Sequence, residues 1–207
     1  IGTMADRYWL LRAGEPDHRL DRLGARFKAL LEIGFGQKRL LYEKGPGWMH
    51  VGIFAGFLVV SLRTITLIGR GYDPHFTLPF FDGPLGLAYV IIKDTFALIL
   101  LVALTYAGVR RLITKPQRLH LSLEANLILL WIASLIISDL LGDAAMMKLQ
   151  PGSHEQGYAW VTTALIGVFS GSETATVQTW FNTMFWYHNI AVLAFLNFLP
   201  FGKHFHV

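Results

Sequence analysis

Four long apolar runs stand out along the chain, each close to the roughly 20 residues that a helix needs to cross a hydrocarbon core. They cover Trp48 to Ile68, Leu85 to Val109, Leu121 to Leu141 and Trp180 to Leu199, and Gly, Pro or charged clusters close each of them. Between the third and fourth runs, Tyr158 to Phe169 is apolar for only about 12 residues, which favours an interfacial or re-entrant helix over a crossing. Upstream, Leu20, Leu23, Phe27, Leu30 and Leu31 recur at helical spacing with arginines and lysines between them. That stretch, to Leu41, reads as an amphipathic segment on the membrane surface or against a partner, or as a basic juxtamembrane connector. The pattern predicts an all-α membrane protein with four transmembrane helices, one interfacial helix and a cytoplasmic amphipathic segment. Residues 1–47 form the juxtamembrane part and 48–207 the transmembrane domain. The start at Ile1 and the abrupt stop at Val207 read as a piece of a longer chain, with room for a fifth span ahead of it. No secretory signal pattern stands at the start.

Composition agrees with a bilayer setting. Of 207 residues, 53% are hydrophobic and 15% charged, and mean hydropathy is +0.44, too apolar for an ordinary soluble domain. Cysteine is absent, so these residues can hold no disulfide and no cysteine-ligated iron–sulfur cluster; any such cluster belongs to a partner. With four crossings, the segment up to Gly47, the loop from Arg110 to His120 and the tail from Lys203 share one side. That side holds most of the Arg and Lys, whereas the other has Arg70 and Lys148 beside the intramembrane Arg63 and Lys93. The positive-inside rule therefore places the first side in the cytoplasm. The basic balance reports orientation, not nucleic-acid binding.

Ionisable groups within spans are costly, so they mark candidate sites. His50 lies one turn into the first run and His188 well inside the fourth, while His204 and His206 follow its end. His188 and His206 are 18 residues apart, five turns and roughly 27 Å along one face of a helix, with Pro200 interrupting the alignment. Such spacing suits two redox centres stacked on one helix, because haem iron accepts axial imidazoles and each centre needs a second ligand from a facing helix. His50 and His206, at the cytoplasmic ends of antiparallel spans, make the natural bis-histidine pair, with His204 the competitor for His206. The plainer reading has each histidine bonded to headgroups or loop carbonyls.

Met49-His50-Val51-Gly52-Ile53-Phe54 at the head of one span, with His188, then Pro200-Phe201-Gly202-Lys203 and His206 ending another, resembles the gamma-subunit cytochrome b of respiratory nitrate reductases. It is more similar still to the membrane domains of heterodisulfide-reductase-like iron–sulfur oxidoreductases, including those that link electron-transfer flavoprotein to quinone. The resemblance runs from about Gly47 to the end. It implies a prokaryotic cytoplasmic-membrane location, a cytoplasmic iron–sulfur partner, and a haem b held by residues matching His50 and His206. It also implies a second haem between the match of His188 and a histidine ten residues after the first, where this chain has Val60. His188 is then left to a five-coordinate haem, to a ligand borrowed from His75 or His154 in the outer loops, or to a quinone site.

Arg63, Lys93, Asp94, Asp139 and His188 all fall in the outer half of their spans. A quinone needs hydrogen-bond donors at its carbonyls and a proton route to water, which these groups can supply. The alternative pairs Arg63 or Lys93 with Asp94 or Asp139 as structural ion pairs. His120 and Glu124 open the third run at helical spacing and read as an interfacial helix start rather than a metal pair. Two other classes compete with the cytochrome: a histidine-metal membrane enzyme acting on lipid, for which this chain has only His204-x-His206 as a tight cluster, and a non-redox anchor or transporter component.

Overall fold

The computed structural model describes residues 2–14, 21–73, 76–117, 122–153 and 155–201, and among them every regular element is helical. Helix α1 spans Gly2–Arg12, and α2 spans Leu23–Ala29 and continues as a π-helical stretch over Leu30–Phe35. A 3-10 turn at Leu40–Tyr42 leads into α3, Lys44–Arg70. Helix α4 spans Pro84–Val109 and runs on through a π-helical end at Arg110–Thr114. Helix α5 spans Leu123–Leu149, α6 is the short Trp160–Leu165 extended by a 3-10 stretch at Ile166–Phe169, and α7 spans Thr174–Phe198. His204 and His206, and the loop histidines His75, His120 and His154, lie outside the described residues.

Among the described residues three helices are long and apolar enough to cross a membrane: α3, α4 with its π-helical end, and α5. Of the four expected crossings, three therefore meet the criterion of length and composition. The fourth run does form a helix of 25 residues, but Gln178, Asn182, His188, Asn189 and Asn197 break up its apolar surface. Boundaries also move outward. Helix α5 continues two turns past the expected Leu141, and Asp143 in that extension is partnered inside the bundle. Ser122 caps its start by accepting a hydrogen bond from the Ala125 amide at 3.3 Å, with Glu124 in the first turn. At the head of α4, Gly83 precedes Pro84 at the first helical positions, where the missing N–H costs nothing.

Helix α3 packs chiefly on α4, α5 packs chiefly on α7, and the contact of α4 with α5 joins the two pairs. Lipid tails are as apolar as a leucine side chain, so helices in a membrane associate by close packing rather than by hydrophobic burial. Gly52 and Gly56, four residues apart on one face of α3, allow this closeness. A Cβ on Gly56 would stand 3.1 Å from the Leu100 Cβ, and one on Gly52 would stand 3.5 Å from that of Ala103. Below the contact, Val60, Ala97, Leu100, Leu104, Ile136 and Leu140 form the buried cluster shared by α3, α4 and α5. Substituting Gly56→Leu is expected to force α3 from α4 and cost about 1–3 kcal/mol, seen as a lowered unfolding temperature in detergent micelles. Gly108→Ala, where a Cβ meets open space, serves as the unaffected control.

Candidate functional site

Helix α5 is the spine of the site, because the groups that can do chemistry face it at successive levels. Nearest its amino end, Ala125, Ile128 and Ile132 wall a cavity of about 380 Å³ that also takes in His50 from α3, Arg110 and Arg111 from the end of α4, and Phe195 from α7. One to two turns further, Leu135 and Ser138 hold His188 of α7. Beyond these come Asp139 and Asp143. From Ile128 to Asp143 the helix rises by about 22 Å.

Asp139 and Asp143 are spaced i, i+4, which puts both carboxylates on one face of α5. Arg63 from α3 and Lys93 from α4 meet them there. The Arg63 Nε donates to Asp139 Oδ1 at 3.3 Å, and its Nη2 donates to Asp143 Oδ1. Lys93 Nζ donates to Asp143 Oδ2 at 2.7 Å and stands 3.6 Å from Asp139 Oδ2. Two cations thus face two carboxylates, all nearly buried, and the charges cancel. On its open side the quartet borders a polar pocket of about 260 Å³, whose wall includes Arg63, Arg70, Tyr89, Lys93, Asp143 and Glu155.

Asp94 turns elsewhere. Neighbouring helical residues point in different directions, so while Lys93 reaches α5, Asp94 faces α6 and accepts from the Val161 amide at 2.5 Å, the Thr162 amide at 3.1 Å and the Thr162 hydroxyl at 2.6 Å. It satisfies the free N–H groups at the start of α6 and holds that helix against α4 and α5. The Trp160 indole N–H donates to Thr95 Oγ1 at 3.1 Å and adds a second stitch. Of the residues grouped from sequence as an outer site, the structure brings together Arg63, Lys93 and Asp139, holds His188 on Leu135 and Ser138, and gives Asp94 to α6. Asp143 is the member that the sequence reading missed. Its signal was the four-residue interval from Asp139, hidden by placing the end of the span at Leu141.

The two described histidines are held in the same way. The His188 ring, 3% exposed, has its Nδ1 3.0 Å from the Leu135 carbonyl and 3.1 Å from Ser138 Oγ, which itself donates to Leu135 O at 2.9 Å. The Nδ1 therefore carries the proton, and the buried Nε2 has no hydrogen-bond partner among the described residues. His50, half-buried at the cavity, has its Nδ1 3.1 Å from the Gln37 Oε1. A neutral imidazole whose Nδ1–H is anchored on an oxygen, leaving Nε2 as the lone-pair nitrogen, is the form in which histidine binds a metal. Among the described residues no three or more His, Cys, Asp or Glu converge as a metal-binding group, the arrangement that a multi-histidine lipid-oxidising centre requires. Val60, at the position ten residues after His50, is 7% exposed in the α3–α4–α5 core.

These features define the class: a bundle of long apolar helices carrying proton-anchored histidines at two successive levels and a neutralised charge cluster beyond them. Within that class the chain is similar to the probable iron-sulfur-binding oxidoreductase FadF of Bacillus subtilis, at 30% identity over 95% of this chain and 28% of that protein. It is also similar to the EtfAB:quinone oxidoreductase of Syntrophomonas wolfei, at 27% identity over 96% of this chain and 29% of that protein. The chain thus spans under a third of the length of these relatives. No protein-family model matches it, and no solved structure does.

Removing one member of a buried charge cluster leaves its partners uncompensated. Arg63→Met is expected to destabilise the bundle by about 3–5 kcal/mol, measured by thermal unfolding in detergent. Adding Asp139→Leu restores neutrality around the Lys93–Asp143 pair and recovers most of the loss. A double variant no more stable than the single would show that the four groups do not compensate one another.

Proposed function

We propose that this chain is the membrane part of a quinone-linked oxidoreductase, passing electrons between a quinone and a cytoplasmic iron–sulfur partner or domain through haem b. The observation that carries the reading is the shared state of His50 and His188, two imidazoles in apolar surroundings with Nδ1 committed to an oxygen. The residues present fit a haem: an orphaned buried Nε2 on His188, and beside His50 a mainly apolar cavity with Arg110 and Arg111 at its edge, suited to carboxylate side chains. His50 and His206 hold the haem, His204 being the alternative second ligand. His188 offers a further nitrogen, for which Val60 supplies no facing imidazole. Haem bound there supplies one-electron chemistry, its potential tuned by axial ligands and burial.

The chain's own groups serve the quinone. The polar pocket at the outer end supplies donors in Arg63, Lys93 and Tyr89, with Asp143 and Glu155 as carboxylates on the same wall. Quinone redox changes move protons with electrons, and Asp143, bridged by Lys93 and Arg63, is placed to exchange a proton that Glu155 passes toward the loop. Asp139 sits behind Asp143 and balances the cations. The excess of Arg and Lys around α1, α2 and the end of α4 supports a cytoplasmic position for the cavity end. The iron–sulfur partner is supported by the similarity to the iron-sulfur-binding oxidoreductase of Bacillus subtilis; as this chain has no cysteine, cysteine-ligated clusters belong to that partner or domain.

A reduced-minus-oxidised visible spectrum of the protein in its membrane is expected to show haem b bands. His50→Ala or His206→Ala should abolish the low-spin signal, with His204→Ala retaining it. Loss on His204→Ala instead would move the ligand. Asp143→Asn, with haem content retained, is expected to lower quinone-dependent turnover by about 100-fold or more. Unchanged turnover would remove the quinone from this pocket.

A further inference from the structure

From Asp21 to Leu40 every residue is exposed except one. Gln37 is 5% exposed, in a connector whose other side chains face outward. Its backbone has φ of 47°, the left-handed region that a non-glycine residue with a long side chain occupies only at a cost, and that cost has to be repaid by what the residue does there.

The surrounding chain is built to hold it. The Gln37 carbonyl accepts from the Leu40 amide at 2.9 Å, starting the turn Leu40–Tyr42. That turn lies so close on α3 that a Cβ on Gly47 would run into the Leu40 carbonyl. The connector is thereby clamped to the first turn of the helix that carries His50. The Gln37 side chain crosses the remaining gap, and its Oε1 stands 3.1 Å from the His50 Nδ1. An amide oxygen has only lone pairs to offer, so the ring nitrogen is the donor. His50 lines the cavity and Gln37 does not.

We infer that Gln37 is the positioning residue for His50: its amide oxygen fixes the imidazole as the Nδ1–H tautomer and tunes how strongly Nε2 donates to a bound iron. The inference rests on the haem reading above and extends it to a residue of the connector. An acceptor on Nδ1–H raises the basicity of Nε2, which favours the ferric state. The strength of that acceptor therefore sets the potential. His188 shows the same device made from a backbone carbonyl and a serine, whereas His50, near the start of its helix, draws on a side chain from outside the bundle.

The test is a redox titration of the haem in the full protein, in membranes from haem-sufficient cells, for Gln37→Gly, Gln37→Leu and Gln37→Glu. Glycine is the informative variant because it suits φ of 47° and removes only the acceptor. The midpoint potential should rise in the Gly and Leu variants and fall in the Glu variant. The expected size is about a tenfold change in the ferric-to-ferrous preference in each direction, ~59 mV for one electron. Haem retained at an unmoved potential in both Gly and Glu variants would overturn the positioning role while leaving the haem reading intact. Absence of haem from the unsubstituted protein would overturn the haem reading and this inference together.

Discussion

A charge buried among lipid-facing helices has to bring its counter-charge with it, and the arrangement of this bundle follows from that requirement. Arg63 and Lys93 enter from separate helices, and neither could remain ionised in an apolar interior alone. Helix α5 answers both with carboxylates one turn apart. The quartet therefore fixes the rotation of α3 and α4 about α5 as firmly as glycine packing fixes their separation. Because each carboxylate touches both cations, no single pair can loosen without exposing a partner. The same four groups that hold the helices also give the adjoining pocket its polar wall, so structural and chemical roles are shared by one cluster.

At the other end the constraint is softer and the solution different. A neutral imidazole needs only a hydrogen bond for its N–H and keeps a lone pair on the other nitrogen. His188 gets that bond from a carbonyl and a hydroxyl of α5, and His50 gets it from Gln37. Along α5 the His50 cavity, the His188 anchor and the charge cluster lie in sequence. In the proposed function this is the order in which electrons pass between one membrane face and a quinone near the other.

Much of the fold was legible in the sequence because apolar run length reports directly on the cost of crossing a bilayer. Helices α3, α4 and α5 emerged with the right cores, and the short apolar run before α7 emerged as the short α6. What escaped were the places where polarity is cancelled by a neighbour distant in sequence. Asp143 fell outside the expected run because nothing in the local sequence announces Arg63 and Lys93. Asp94 looked like a member of the outer site because its three donors come from α6. The crossing expected at α7 rests on the length of its apolar run, yet its amides and histidine dilute that signal. Gln37 carried no local signal, since its burial comes from the fold of the connector onto α3.

The central claim is that iron porphyrin binds between the imidazoles of His50 and His206, with His188 a further candidate ligand. Pyridine haemochrome assay of the protein purified from cells with ample haem supply tests it most directly. The account predicts extractable protohaem in at least equimolar amount to the chain. Colourless protein yielding no porphyrin under those conditions would contradict it.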